Sequence, residues 1–304
     1  MSFLKKRETP VQNIAYIGIM ASINIVFVLI SSLLPILFVL LVFILPLTSV
    51  IVTIYCKKIY YPIYFLTTVG LCLAVTAGFS LFDTFIYVFP SLVTGFLFGY
   101  LIEKRVPAIY ILLVNTIVQY VLTYLTFLFL NNVIFQVSFF DSIYNMIGLS
   151  TFQYKAVLTN IFTYIVSQIQ IVITYIFVKY EMNRINVEIN LNIKYRFSLY
   201  IFTFACLTLT ILSLFYFKNV SILLTLIVLP ISIYEVFDLC LKKKLYIYVS
   251  LSASLILSVF LFAYLYQFIA SPNQLSLLYL FFVSVTIIDF IMNYCLKEKV
   301  KKIE

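Results

Sequence analysis

Residues 11–32 read VQNIAYIGIMASINIVFVLISS and contain no charged side chain. A helix of about 20 apolar residues is long enough to cross the hydrocarbon core of a lipid bilayer. The rest of the chain has the same character, since 64% of its 304 residues are hydrophobic and only 10% are charged. Soluble domains carry about 25% charged residues. The sequence therefore predicts an integral membrane protein.

Nine further apolar runs have the length of a membrane span, and together with the first they predict an all-α protein with about ten transmembrane helices. The distribution of lysine and arginine along the chain tests this number of spans, because short cytoplasmic loops are enriched in both residues. With both termini placed in the cytoplasm, 18 of the 20 basic residues fall in segments on that side. The predicted runs lie near 11–32, 35–56, 59–81, 84–102, 107–130, 156–178, 197–217, 219–240, 245–269 and 275–296.

Two longer connections organise the chain. The polar, asparagine-rich segment 179–196 is the best candidate boundary, dividing a six-helix region at 1–182 from a four-helix region at 183–304. The segment 131–155 mixes aromatic and polar residues, which predicts a surface-lying or re-entrant segment on the outer side.

Enzymatic chemistry finds little support in the sequence. The chain has no histidine, so it lacks a Ser–His pair and a histidine general base. Its five cysteines show no metal-binding spacing, its acidic residues do not cluster, and no phosphate-binding GxxxxGK[ST] motif occurs. We expect no catalysis and no cofactor or metal. The net charge of +9 is explained by cytoplasmic loops rather than by nucleic acid.

Polar residues on the fifth and sixth runs recur at spacings of three and four, which places each set on one helix face. Such faces must turn away from lipid, either to bond to each other or to line a cavity. The second alternative predicts a site beneath 131–155 for an uncharged or zwitterionic solute, because no fixed basic charge is present. The ligand-binding candidates are Gln119, Thr123, Thr126, Asp141, Asn145, Asn160, Thr163 and Ser167.

Small residues form two grooves where another helix could approach closely. One lies on the fourth run at Ser91, Gly95 and Gly99, and the other on the first run at Ala15, Gly18 and Ser22. Each predicts either packing within the chain or docking of a partner subunit. Among the acidic residues, Asp289 is the deepest in a predicted span. It is therefore a candidate for ion coupling or for a structural hydrogen bond to the helix of Glu235 or to Asn293.

Four stretches carry a resemblance to a known family. They are ETPVQNIAYIGIMASINIVFVLISSLLP (8–35), LPLTSVIVTIYCKKIYYPIYF (45–65), FPSLVTGFLFGYLIEKRVP (89–107) and IGLSTFQYKAVLTNIFTYIVSQIQIVITYIFVKYEMNR (147–184). Residues 8–182 resemble the YybS-like family of bacterial membrane proteins, which is in turn distantly similar to the S-components of energy-coupling factor transporters. The resemblance implies six spans, solute binding from outside, and docking to a coupling subunit through a small-residue pair, here Gly18 and Ser22.

Two functions follow as expectations for a multi-pass protein of the bacterial cytoplasmic membrane. The first is a transporter-like protein that binds a small solute from outside and has no ATPase of its own. The second is a scaffold or regulator that binds partner membrane proteins through its helix grooves. The polar stripes discriminate between them, because a binder needs them to converge on a cavity and a scaffold needs them bonded pairwise.

Overall fold

The computed structural model describes residues 6–33, 38–77, 84–129, 144–145, 155–183, 196–216, 220–241, 245–269 and 273–292. All regular structure among these residues is helical. The long helices are α1 (Pro10–Leu33), α2 (Phe38–Tyr55), α3 (Tyr61–Thr76), α4 (Phe89–Glu103), α5 (Ala108–Phe129), α6 (Lys155–Asn183), α7 (Arg196–Tyr216), α8 (Val220–Leu241), α9 (Leu245–Leu265) and α10 (Tyr279–Phe290). Two 3-10 helices, Lys58–Tyr60 and Asn273–Leu278, precede α3 and α10, and a π-helical turn, Thr84–Val88, leads into α4.

The apolar character of these helices supports a membrane protein. Six of the described helices are long and apolar enough to cross a bilayer, namely those over Pro10–Ser31, Lys58–Thr76, Ala108–Phe129, Val157–Tyr180, Phe197–Leu214 and Tyr246–Leu265. Four shorter apolar helices, Leu45–Tyr55, Phe89–Glu103, Val220–Val236 and Ser276–Phe290, overlap the other predicted runs. The helical membrane class is therefore confirmed, while the count of ten spans and the cytoplasmic termini stay predictions.

The chain forms two compact units. The first contains Met1–Phe152 and Thr163–Leu191, and the second contains Gln153–Phe162 and Asn192–Glu304. Helix α6 thus contributes its first turns to the second unit and the remainder to the first. The division near residue 182 that the sequence favours stays a prediction.

In the first unit, α2 lies in close contact with α4, and α1 and α3 pack beside them. The core of these four helices contains large side chains that are almost fully buried, including Met20, Leu45, Tyr64 and Leu92. A second cluster joins α2, α4, α5 and α6 through Val50, Phe98, Ile102, Ile111, Ile171 and Val178. Because lipid gives apolar helices no hydrophobic reason to associate, this interdigitation and the polar contacts below hold the unit together.

A clamp of polar contacts fixes the start of α1 against the ends of α2 and α4. The buried Asn13 side chain accepts a hydrogen bond from the Lys57 amide at 2.9 Å and donates to the Thr9 carbonyl at 2.7 Å. Glu103, at the end of α4, pairs with Lys58 at 2.6 Å and with Lys6 at 3.6 Å. The hydrogen bond from Lys58 holds the pKa of the Glu103 carboxyl below its ordinary value.

In the second unit, α8 packs against α7 and α10, and α9 packs against α10. Cys206, Val228 and Tyr279 form its buried apolar centre. Helix α9 is the least enclosed, since only 11% of its candidate span is buried within the protein. Its exposed side chains are mostly large and apolar, as expected for a helix that faces lipid on most sides.

Candidate functional site

The groove on α4 is filled by α2. A Cβ atom added to Gly95 would lie 2.4 Å from Ser49 Cβ and 2.7 Å from the Pro46 carbonyl oxygen. A Cβ atom added to Gly99 would lie 2.7 Å from Thr53 Cβ. Ser91 is buried as well. The glycines of this groove therefore let two backbones of the same chain approach, and in the first unit this face is not open to a partner.

The groove on α1 is open. A Cβ atom added to Gly18 would meet no described atom within 4 Å, in contrast to Gly95. The groove has a volume of about 570 Å³ and is lined by Ala15, Gly18, Ile19, Ser22, Ile23, Val26 and Phe27. Ser22 donates its hydroxyl proton to the Gly18 carbonyl at 2.8 Å, so the only hydroxyl in the groove is satisfied within α1. The opposite face of α1 packs inward through Tyr16, Ile17, Met20 and Asn24.

The predicted polar stripes of α5 and α6 meet at a buried pair of glutamines. Gln119 donates to Gln170 Oε1 at 3.0 Å and accepts from Thr94 at 3.1 Å. Gln170 donates in turn to Ser91 Oγ at 3.3 Å. These hydrogen bonds connect α4, α5 and α6 across one interface. Thr94, which the sequence analysis did not include, lies three residues after Ser91 on the same face of α4.

The other predicted ligand residues lie in different environments. Thr123 is half-buried and accepts a long hydrogen bond of 3.5 Å from Gln119, and the buried Thr126 donates to the Leu122 carbonyl. Ser167 donates to the Thr163 carbonyl. The hydroxyl of Thr163 has no hydrogen-bond partner among the described residues. The open groove on α1, described above, is lined by none of these residues.

Three members of the predicted ligand set are not joined to this interface. Asn160 is half-buried on α6, in the part of that helix that belongs to the second unit. Asn145 is exposed, and Asp141 lies outside the described residues. The lid that these last two residues were expected to form stays a prediction.

A second polar cluster in the first unit was missed by the sequence analysis. Asn24 donates to the Tyr64 hydroxyl at 2.7 Å, Tyr64 donates to Thr48 at 3.2 Å, and Thr48 donates to Asn24 Oδ1 at 2.7 Å. This closed ring joins α1, α2 and α3 in the core. A sequence signal was available, because Asn24 is a polar residue at the centre of an apolar run.

The buried carboxylates of the second unit accept hydrogen bonds from neighbouring helices. Tyr200 on α7 donates to Asp289 at 2.6 Å, and Thr286 on α10 donates to Glu235 on α8 at 2.7 Å. Asp289 and Glu235 are 1% and 2% exposed, so both are removed from solvent within the protein. The sequence analysis proposed that Asp289 either bonds to the helix of Glu235 or to Asn293, or serves in ion coupling, and both alternatives stay predictions beside the hydrogen bond from Tyr200. Asn293 lies outside the described residues.

These arrangements consist of buried hydrogen bonds and closely packed helix faces. Within the described residues, no group of three or more cysteine or acidic side chains could hold a metal ion. Ser91, Thr94, Gln119 and Gln170 act as hydrogen-bond donors and acceptors for one another. The α1 groove is an apolar depression in which small residues lie between larger apolar side chains.

Comparisons with known proteins give no relative from which a function could be transferred. No protein-family model matches this chain, and no curated protein and no solved structure is significantly similar to it.

Proposed function

We propose that this protein is a membrane scaffold or regulatory subunit, and that α1 is its docking helix for a transmembrane helix of a partner protein. The observation that carries the proposal is the contrast between its two small-residue faces. Helix α2 occupies the space beside Gly95 and Gly99, whereas no described atom lies within 4 Å of a Cβ atom built at Gly18. The resemblance to S-components points to the same helix.

The physical argument rests on packing. Membrane helices associate through van der Waals contact, and small residues at spacings of four allow two backbones to approach. Branched lipid-facing side chains flank Gly18 and Ser22, so a second helix would find a groove with raised edges. A partner helix has more atoms to place against these walls than a mobile acyl chain has. Dispersion contacts of that kind are small individually and large in sum.

The polar interface supports the same proposal. A scaffold needs its buried polar groups satisfied within the protein, and Gln119, Gln170, Thr94 and Ser91 bond to one another. These four residues give α4, α5 and α6 a fixed arrangement. The first unit would then offer its partner a firmly packed set of helices, with α1 exposed on one face.

The test is quantitative co-purification from membranes of the native host. Gly18→Leu fills the groove and should remove a membrane protein that co-purifies with the wild type. Gly70→Leu is the matched control, because Gly70 on α3 is exposed and a Cβ built there also meets no described atom within 4 Å. Loss of the same protein from both variants, or from neither, would contradict a role for the α1 groove.

A second candidate function is binding of a small uncharged or zwitterionic solute in the bacterial cytoplasmic membrane. The observation in its favour is that Thr163 is 4% exposed and its hydroxyl has no partner among the described residues. Gln119 and Thr163 then contribute to the site. Native mass spectrometry of the wild type and of Gln119→Leu tests this candidate. A bound molecule lost from a folded variant supports it, and identical spectra without a bound molecule reject it.

A further inference from the structure

Basic side chains from three separate segments gather at one end of the first unit. The Glu103 carboxylate contacts the ammonium group of Lys58 at 2.6 Å and that of Lys6 at 3.6 Å. The Arg7 amide donates to the Tyr55 carbonyl at 2.8 Å, which holds the segment before α1 against the end of α2. The basic cluster lies in residues 6–8, 57–58 and 103–105 and consists of Lys6, Arg7, Lys57, Lys58, Lys104 and Arg105.

Aromatic rings hold several of these charges in place. Lys58 Nζ lies 4.3 Å from the centroid of the Tyr100 ring, and Lys104 Nζ lies 5.9 Å from the same centroid. The Arg7 guanidinium lies 4.5 Å from the centroid of the Tyr16 ring. Such cation–π contacts attract a basic side chain without neutralising its charge. The cluster is therefore positioned by the protein while it stays positively charged.

Positive charge exceeds negative charge in the three segments. They contain six basic residues and two acidic ones, Glu8 and Glu103. Lys57, Lys104 and Arg105 form no ion pair with a described residue, and all three are exposed. These side chains can contact an anion without first breaking an ion pair inside the protein.

Arg105 has a backbone conformation that usually belongs to glycine. Its φ angle is 54°, in the left-handed region. Its amide donates to the Ile102 carbonyl, and the next amide, that of Val106, donates to the Leu101 carbonyl. This pair of hydrogen bonds is the Schellman arrangement, in which glycine is favoured because it lacks a Cβ atom. Glycine can therefore replace Arg105 and remove its charge without disturbing the end of α4.

The basic cluster lies where apolar helices end. The candidate span Lys58–Thr76 starts there, and the apolar helices Leu45–Tyr55 and Phe89–Glu103 finish there. Basic side chains at the ends of spans reach the headgroup level of a bilayer. Large apolar side chains are exposed close to the cluster in sequence, since Val11 and Ile59 are each 77% exposed. An amphiphile with an anionic head and apolar chains matches this combination better than a free anion does.

We propose that the basic cluster binds the headgroup of an anionic phospholipid on the side of the membrane that is predicted to be cytoplasmic. Lys104 and Arg105 donate hydrogen bonds to the phosphate oxygens, and the planar guanidinium can contact two of them at once. Lys58, which shares the Tyr100 ring with Lys104, adds to the attraction. The acyl chains pack on exposed apolar side chains near Ile59. This site is independent of the docking groove on α1.

Native mass spectrometry of the full-length protein in a non-ionic detergent tests the choice of ligand. The probes are phosphatidylglycerol, phosphatidylcholine and inorganic phosphate, each titrated against the same preparation. We expect phosphatidylglycerol to bind more tightly than phosphatidylcholine and to stay bound in an excess of inorganic phosphate. Equal binding of the two lipids, or displacement of phosphatidylglycerol by inorganic phosphate, would overturn the proposal.

Charge-removing variants test the place of binding. One basic residue near a membrane surface changes the affinity for anionic lipid about fivefold, so Arg105→Gly and Lys104→Gln should each weaken phosphatidylglycerol binding by that factor. Arg105→Gly should be at least as thermally stable as the wild type, so its weaker binding cannot come from unfolding. Lys155→Gln is the control, because it removes the same charge from the second unit. Unchanged affinity in either cluster variant, or an equal loss in Lys155→Gln, would overturn the assignment of the site.

Discussion

Replacing Gly95 by alanine adds one methyl group at the closest approach of two helices. That methyl carbon would lie 2.4 Å from Ser49 Cβ and 2.7 Å from both Ser49 Oγ and the Pro46 carbonyl oxygen. Ordinary contacts of this kind are 3.4 Å or longer, so α2 and α4 must separate by about 1 Å. Neither Ser49 Cβ nor a backbone carbonyl can rotate out of the way.

The separation also disturbs a buried polar contact. Ser49 donates to the Leu92 carbonyl at 2.9 Å, and the Tyr61 hydroxyl reaches the same carbonyl at 2.5 Å. Overpacking of a well-packed core costs about 1 to 3 kcal/mol. We therefore expect Gly95→Ala to lower the free energy of unfolding by that amount.

The control variant, Gly70→Ala, should change the stability in the opposite direction or not at all. Gly70 lies in an open, exposed part of α3, and a Cβ built there meets no described atom within 4 Å. Alanine is favoured over glycine in a helix by about 1 kcal/mol, so Gly70→Ala should be neutral or stabilising. Reversible unfolding by steric trapping in bilayers measures both variants. Equal stabilities, or a Gly95→Ala variant more stable than the wild type, would refute the close packing of α2 on α4.

Four further predictions concern other parts of the molecule. Tyr64→Phe should destabilise the protein by about 0.6 to 1.7 kcal/mol, because Asn24 loses its acceptor, whereas Tyr264→Phe at an exposed position should have no effect in the same unfolding assay. Tyr200→Phe should lower the melting temperature more than Tyr264→Phe, since it removes the donor to the buried Asp289, and equal melting temperatures would argue against that contact. The Glu103–Lys58 pair stabilises the folded state when Glu103 is ionised. Its contribution should therefore be lost as the pH falls below the ordinary carboxyl pKa of 4.5 and through the lowered pKa of the folded state. Lys58→Met should flatten this part of a stability–pH profile, and an unchanged profile would contradict the prediction. Reporter fusions after Lys58 and Lys244 should report the cytoplasm and one near Ser271 the exterior, and an inverted signal beyond residue 180 would exclude ten spans.

The positions of the helices could be predicted well from the sequence. The runs placed at 11–32 and 107–130 are the helices Pro10–Leu33 and Ala108–Phe129. This success has a physical cause, because a bilayer requires an uninterrupted apolar run of fixed length for every span.

The neighbours of each helix could not be predicted in the same way. In lipid, both the buried and the exposed faces of a helix are apolar, so hydrophobic periodicity does not show which face turns inward. The spacing on α5 correctly selected Gln119 as inward-facing, but it could not show that Thr94 and Gln170 would be its partners. Likewise, the spacing of Gly18 and Ser22 resembles that of Gly95 and Gly99. Only the three-dimensional packing shows that α2 fills one groove while the other remains open.

Site-specific photo-crosslinking in native membranes tests the proposed docking helix most directly. A photoreactive side chain at Val26 would lie at the edge of the α1 groove without filling it, and one at Leu66 on α3 provides an exposed control outside it. The proposal predicts a discrete protein adduct from position 26 that is absent from position 66 and disappears when Gly18→Leu is introduced. Adducts with lipid alone from both positions, or a protein adduct from position 26 that persists with Gly18→Leu, would contradict the assignment of the α1 groove as a docking site.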